Sequence, residues 1–97
     1  MTIRTRPGIV LTHVCGQSLL VAAFKARPQC PYVTILNETG EIIWDCLKEN
    51  KSTKEIALKL KEMFEIPSDV KVEELINDFI AQLHENGYVL YEEENEQ

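Results

Sequence analysis

The chain has 97 residues, a hydrophobic fraction of 44%, a charged fraction of 27% and a net charge of -6. This length supports one domain with a small core and leaves no room for a cleft between two domains. No apolar run approaches the roughly 20 residues that cross a bilayer, and no apolar segment follows the first basic residues as it would in a signal peptide. We therefore expect one cytoplasmic domain at 1–91 without membrane contact, and an acidic disordered tail at 92–97.

The charges are divided between the two halves of the chain. Residues 1–36 carry four basic residues and no acid, whereas residues 37–97 carry all 16 acids and six lysines. This division predicts that opposite charges meet within the fold or that the basic half faces an acidic partner. Simple solvation of two charged surfaces is the alternative.

The first third of the chain predicts three strands. Pro7-Gly8 ends a basic arm that we expect to be flexible. The apolar runs at 9–14 and 19–24 flank a turn and predict a hairpin. A connector at 25–31 contains two prolines, which lack the N–H that a central strand donates, and the third strand follows at 32–36. Three strands leave two open edges, where an extended peptide can be added.

Three amphipathic helices are predicted after the strands. Their expected N-cap residues are Asn37, Ser52, and either Ser68 or Asp69. Glu55 completes a capping box for the second helix, and Pro67 ends that helix. Trp44 lies at the flank of the first helix, either packed at the edge of the core or as part of a binding surface. Residues 88–91 can form cover for the core or a short terminal strand.

The third predicted helix has an apolar arc of about 140°, which is wider than the stripe that covers a core. The arc contains Val72, Leu75, Ile76, Phe79, Ile80 and Leu83. Ile80 lies at one margin, beside Asn77 and His84. Leu75 lies at the other margin, beside Asp78 and Gln82. The excess width predicts a groove along one of these flanks.

The cysteines predict neither a disulfide framework nor a structural zinc site. Cys15, Cys30 and Cys46 are odd in number and widely spaced, and no CxxC pair occurs. They are typical of reduced thiols. A metal site formed by His13, Cys15 and Cys30 stays open as an alternative, although zinc ligands usually occur in closer pairs.

No catalytic constellation is found in the sequence. His13 and His84 are the only histidines, no serine lies in a nucleophile-elbow motif, and no glycine-rich phosphate loop occurs. We therefore expect a protein that is not an enzyme and that uses no cofactor or metal.

The order of three strands and three helices predicts an α+β fold, a winged-helix-like three-stranded antiparallel sheet followed by three helices. DNA binding is disfavoured because the exposed acids of the third helix outnumber its one lysine, and DNA affinity depends on phosphate contacts. These acids are Glu73, Glu74, Asp78 and Glu85. A winged-helix transcriptional regulator or a protein-docking module remains the alternative function, and we expect no nucleic-acid partner for the leading one.

Four segments, taken together in their order and spacing, resemble the PqqD family. They are 36–44 (LNETGEIIW), 52–57 (STKEIA), 64–67 (FEIP) and 79–89 (FIAQLHENGYV). Members of this family are small chaperones of pyrroloquinoline quinone synthesis, and they belong to the wider set of precursor-peptide recognition elements. The resemblance covers residues 7–90. The connector with Pro28, Cys30 and Pro31 departs from the family pattern.

The resemblance implies a non-catalytic module that captures the leader of a ribosomally synthesised precursor peptide. The leader would add as a strand to the third predicted strand, lie against the third helix, and be presented to a modifying enzyme, commonly a radical S-adenosylmethionine enzyme. The implied peptide-binding residues are Tyr32, Val33, Thr34, Ile35, Leu36, Ile76, Asn77, Ile80 and His84. The basic first half of the chain adds the expectation of an acidic leader.

Overall fold

The computed structural model describes residues 2–23 and 33–92. The elements are β1 (Thr2–Thr5), β2 (Ile9–Val14), β3 (Gln17–Ala22), β4 (Thr34–Leu36), α1 (Glu38–Lys48), α2 (Thr53–Met63), α3 (Val72–Glu85) and β5 (Val89–Glu92). Strands β2, β3 and β4 form an antiparallel sheet in that order, and three helices follow it. The predicted α+β class is confirmed. Within the described ranges, the helices are too short or too polar to cross a membrane.

A tight turn fixes the register of the β2–β3 hairpin. Val14 lies opposite Gln17, and the loop between them is Cys15-Gly16, with φ values of 51° and 78°. A two-residue type I′ turn requires positive φ at both positions, because its twist then matches that of the strands. β4 pairs with the other side of β3, so that Ile35 lies opposite Leu19. β4 is therefore an edge strand of this sheet.

The N-terminal arm forms a strand, and the expectation of a flexible arm was wrong. β1 pairs antiparallel with β5 in a separate two-stranded ribbon. The ribbon is closed by Arg6, whose main-chain N–H donates to the Tyr88 carbonyl at 2.9 Å. Its guanidinium Nε also donates to the Gly87 carbonyl at 2.5 Å. Of the two alternatives for residues 88–91, the terminal strand is formed, as β5. Glu92, assigned to the tail, is its last residue, and residues 93–97 lie outside the described ranges.

The helix starts follow the predicted caps in two cases of three. Asn37 Oδ1 accepts from Gly40 N at 2.8 Å, and Ser52 and Glu55 form the predicted capping box. The expected cap of α3 at Ser68 or Asp69 was wrong. Residues 68–70 form a turn, and α3 begins after Lys71, which makes no side-chain capping bond.

The core lies between the inner face of the β2–β3–β4 sheet and the three helices. Its largest fully buried side chains are Trp44, Tyr88, Leu20, Leu47, Ile56, Ile76, Ile80, Leu83, Val89 and Cys46. Trp44 is 1% exposed, so it packs in the core and offers no binding surface. The core thus joins the sheet, the helices and β5 into one scaffold behind β4.

Candidate functional site: a groove beside the edge strand

An apolar groove of about 550 Å³ runs beside β4. One wall is formed by Ile35 and Leu36 of β4 and the first turns of α1. The other wall is formed by α3 and by the 65–70 loop that precedes it. The volume lies within the roughly 300–1,000 Å³ that is typical of ligand sites.

The register of the sheet determines which main-chain groups of β4 face the groove. In a hairpin with a two-residue loop, the residues next to the loop exchange both hydrogen bonds, so the main-chain groups of Gln17 and Leu19 point toward β2. Ala23 N donates to the Gly8 carbonyl at 2.6 Å, as this alternation requires. The main-chain N–H and C=O groups of Leu20 therefore point toward β4.

The same alternation continues into β4. Thr34 and Leu36 lie opposite Leu20 and Ser18, so their N–H and C=O groups are directed to β3. The N–H and C=O of Ile35 are directed away from β3, toward the open side of the strand. No strand of the described ranges pairs with that side. Ile35 thus presents one donor and one acceptor to an added strand.

The helical wall of the groove is the Leu75 flank of α3. Leu75 is 60% exposed and Phe79 is partly buried, whereas Ile76 packs in the core with its edge at the groove. Gly40 allows α1 to approach this flank closely, since a Cβ at Gly40 would lie only 3.2 Å from Phe79 Cζ. A larger residue at position 40 would narrow the groove at its middle.

The structure brings some of the predicted site residues together and separates others. Ile35, Leu36 and Ile76 line the groove. Thr34 lies on the same strand, where its Oγ1 donates to Tyr88 Oη at 2.8 Å. Val33 directly precedes the strand and is 58% exposed. Tyr32 lies outside the described residues.

Three predicted residues of α3 do not line the groove. Ile80 is only 2% exposed and belongs to the core. Asn77 accepts a hydrogen bond from Thr53 of α2 at 3.4 Å. The His84 ring stacks on Tyr91 of β5 with a centroid distance of 4.1 Å. This flank is thus packed on α2 and β5, and the groove lies along the opposite flank.

Sequence reasoning missed several groove residues. Leu75, Phe79 and Gln82 line the groove, whereas the sequence predicts peptide contacts along the Ile80 margin of the apolar arc. Ile66 and Val70 also line the groove. The signal for them in the sequence is that apolar residues lie on both sides of Pro67, in the segment between the second and third helices.

Arg4 of β1 and Arg6, which follows β1, do not line the groove. Arg4 Nε lies 3.5 Å from Glu92 Oε2, and Arg6 binds the Gly87 carbonyl, so both belong to the β1–β5 ribbon. Glu65 is the only ionisable side chain among the described groove residues. Lys25 and Arg27 lie outside the described ranges. Opposite charges do meet within the fold, at the ribbon, and nothing basic in the described groove favours an acidic leader.

A polar cluster joins α1 to the β2–β3 hairpin. Ser18 Oγ donates to Glu41 Oε2 at 2.6 Å, and His13 Nε2 lies 2.9 Å from Glu41 Oε1. Two hydrogen bonds lower the pKa of Glu41 below its usual value, the larger effect coming from Ser18 and the smaller from His13. The carboxylate lies between the hydroxyl and the imidazole. This order differs from a catalytic triad, in which the histidine contacts the serine.

The two cysteines within the described ranges lie in different surroundings. Burial raises the pKa of the Cys46 thiol, which disfavours the nucleophilic thiolate. Cys15 is exposed in the hairpin turn. Across residues 2–23 and 33–92, no group of three or more His, Cys, Asp or Glu side chains could hold a metal ion. The alternative metal site also needs Cys30, which is outside these ranges.

Comparisons with known proteins converge on one family and one fold. The sequence profile described as Coenzyme PQQ synthesis protein D (PqqD) matches residues 32–89, which is more than half of the chain. No curated protein matches the chain. Among solved structures, lasso peptide synthetase B1 complexed with the leader peptide has a TM-score of 0.74 at 23% identity, over 94% of this chain and 100% of that one. TbiB1 in complex with the TbiA(beta) leader peptide has a TM-score of 0.73 at 19% identity, over 94% and 99%.

Proposed function

Since this chain belongs to the PqqD family, we propose that it is a non-catalytic module that binds the leader of a ribosomally synthesised precursor peptide. The observation that carries the proposal is the position of the outward main-chain groups of Ile35 at the border of an apolar groove. Peptides that add to a sheet edge gain affinity from main-chain pairing and selectivity from adjacent pockets. This chain offers both in one place.

The proposed leader lies antiparallel to β4 and continues the antiparallel sheet. Thr34, at the start of β4, is bonded to Tyr88, just beyond the C-terminal end of α3. Gly40, beyond the end of β4, lies beside Phe79 in the middle of α3. β4 and α3 therefore run in opposite directions, and the bound leader runs in the same direction as α3.

This direction assigns the two ends of the leader. Its N-terminal part lies beside the 65–70 loop, where Ile66 and Val70 provide an apolar pocket. Its C-terminal part leaves past Thr34 and Tyr88. The segment to be modified follows the leader, so the modifying enzyme meets the complex at this end.

The structural neighbours support the proposal because both are described as complexes with leader peptides. The class of the modifying enzyme stays a proposal with two forms. The family resemblance favours a radical S-adenosylmethionine enzyme, whereas the neighbour described as lasso peptide synthetase B1 favours an enzyme of lasso peptide synthesis. Presentation to either needs no catalytic group on this chain.

DNA binding is a weaker function for this surface. The acids Glu73, Glu74, Asp78 and Glu85 are all exposed on α3. They would repel phosphates from the one helix that a winged-helix regulator places in the major groove. Retention of the chain on duplex DNA that falls steeply with salt would favour the regulator and contradict the proposal.

Titration of the ¹⁵N-labelled chain tests peptide binding at the groove. The probes are the TbiA(beta) leader peptide and ten-residue peptides selected from a random display library on the full chain. We expect at least the selected peptides to shift the amides of Val33, Ile35 and Leu75. Selected peptides that shift only the β1–β5 ribbon or α2 would contradict the proposal.

A further inference from the structure

The outer face of the β2–β3–β4 sheet, which points away from the helices, carries exposed apolar side chains. Three of the eight large hydrophobic residues that are exposed in the described ranges lie on it, namely Val10 (50%), Val14 (49%) and Ile35 (62%), and exposed Val33 (58%) directly precedes β4. Val10, Val14 and Ile35 share this face because side chains alternate along a strand, and because residues that lie opposite each other in a sheet point to the same side. No side chain that β2, β3 or β4 directs to this face is charged.

We infer that the part of this face formed by Ile35, together with Val33 directly before β4, is a second recognition surface for the bound leader, which must therefore carry an apolar side chain on each of its two faces. The inference rests on the proposed strand addition. A strand that paired with β4 would direct alternate side chains into the groove and onto the outer face. The groove alone would select an amphipathic strand with one apolar face.

The register defines the positions of the leader. Let p0 be the leader residue opposite Ile35. Since the outward groups of Ile35 bind it, p0 forms a hydrogen-bonded pair, with Cα atoms about 5.5 Å apart, and its side chain lies beside Ile35 on the outer face. Leu19 flanks Ile35 on its other side. Ile35 would then be covered from both sides.

The neighbouring positions follow from the alternation. The residue before p0 lies opposite Leu36 and enters the groove near Phe79. The residue after p0 lies opposite Thr34, where two hydroxyl groups meet, and a small polar side chain suits this position. The second residue after p0 returns to the outer face beside Val33. The substrate class is a leader with the pattern apolar, apolar, small polar, apolar.

The leader is a better occupant of this border than a second copy of the chain. The Val33–Ile35 border adjoins the groove at Ile35, whereas Val10 and Val14 lie on β2, at the other edge of the same face. Each copy has a net charge of -6, which opposes self-association. A dimer that buried Ile35 would overturn the inference, and sedimentation velocity over a range of concentrations measures this directly.

The test is a double-mutant cycle with a selected ten-residue peptide, whose register is assigned from cross-strand NOEs to Ile35. Replacing p0 by serine should weaken binding to the natural chain about two- to fivefold, as expected for loss of one cross-strand pair. The same replacement should have little effect on the Ile35→Thr variant. The matched control Val14→Thr changes the same face two strands away. In this variant, replacing p0 by serine should weaken binding as much as it does in the natural chain.

Two outcomes would separate the inference from the proposed function. The replacement of p0 by serine could weaken binding equally for the natural chain and for Ile35→Thr, while the peptide still shifts the Ile35 amide of the natural chain. That result would overturn the second recognition surface and leave groove binding intact. Selected peptides that bind without shifting the Ile35 amide would overturn both.

Discussion

The substitution Ile35→Pro isolates the main-chain contribution to peptide binding. Proline keeps an apolar side chain but lacks the N–H that we propose to donate to the leader. In the free protein this N–H is directed away from β3, so its removal breaks no bond of the sheet. In the complex, a carbonyl of the leader would lose its donor.

The magnitude follows from the cost of an unsatisfied acceptor, about 1–3 kcal/mol, which corresponds to a dissociation constant about 5- to 150-fold higher. Ile35→Val, which keeps the N–H and a branched side chain, should change the dissociation constant less than about twofold. Isothermal titration calorimetry with a selected peptide measures both variants.

A second proline variant tests the register itself. Thr34→Pro removes an N–H that is directed to Leu20, and it should lower the free energy of unfolding by about 1–3 kcal/mol. Ile35→Pro should lower it by less than about 1 kcal/mol. Denaturant unfolding followed by Trp44 fluorescence compares them. If Ile35→Pro were folded and bound peptide as tightly as the natural chain, leader binding by strand addition would be refuted.

Three further predictions test the site and its support. Leu75→Asp should weaken peptide binding about 5- to 20-fold, because its side chain is 60% exposed and full burial of a leucine contributes about 1.5–3 kcal/mol. Asn77→Asp, on the other flank of α3, should have little effect. If calorimetry gave the reverse ranking, the peptide would bind along the Asn77 flank. Ile80→Asp should lower the free energy of unfolding by at least about 3 kcal/mol, since this side chain is 2% exposed; a stable variant that had lost only peptide affinity would contradict its assignment to the core. The hydrogen bond from Ser18 lowers the pKa of Glu41, so the stability that this carboxylate contributes is present above pH 4.5 and is lost as the pH falls below it. Glu41→Gln should be less stable than the natural chain at neutral pH, and this stability difference should shrink in acid. A difference in denaturation midpoint that stayed constant with pH would contradict the prediction.

Features that depend on neighbouring residues were predictable from the sequence. The caps at Asn37 and Ser52 act within one helical turn, and the hairpin depends on a two-residue loop. β1 was missed because its stability comes from pairing with β5, more than 80 residues away in the chain. A short segment with one isoleucine between polar residues carries no local sign of such a partner.

The groove was predictable only in part. The periodicity of α3 showed that its apolar arc was too wide for the core, and it located Leu75 and Ile80 at the two margins. Which margin is covered depends on how β5 returns along the helix, and the contact of His84 with Tyr91 covers the Ile80 side. Periodicity along one helix gives no information about that tertiary contact. The edge strand was found because its β-branched residues and preceding proline are local signals.

Hydrogen exchange at the amide of Ile35 tests the central claim most directly. In the free chain this N–H is directed away from β3, and in the proposed complex it donates to the leader. Saturation with a selected peptide should slow its exchange strongly, while the amide of Thr34, already paired with β3, should change much less. Unchanged exchange at Ile35 in a chain saturated with peptide would contradict leader binding by strand addition.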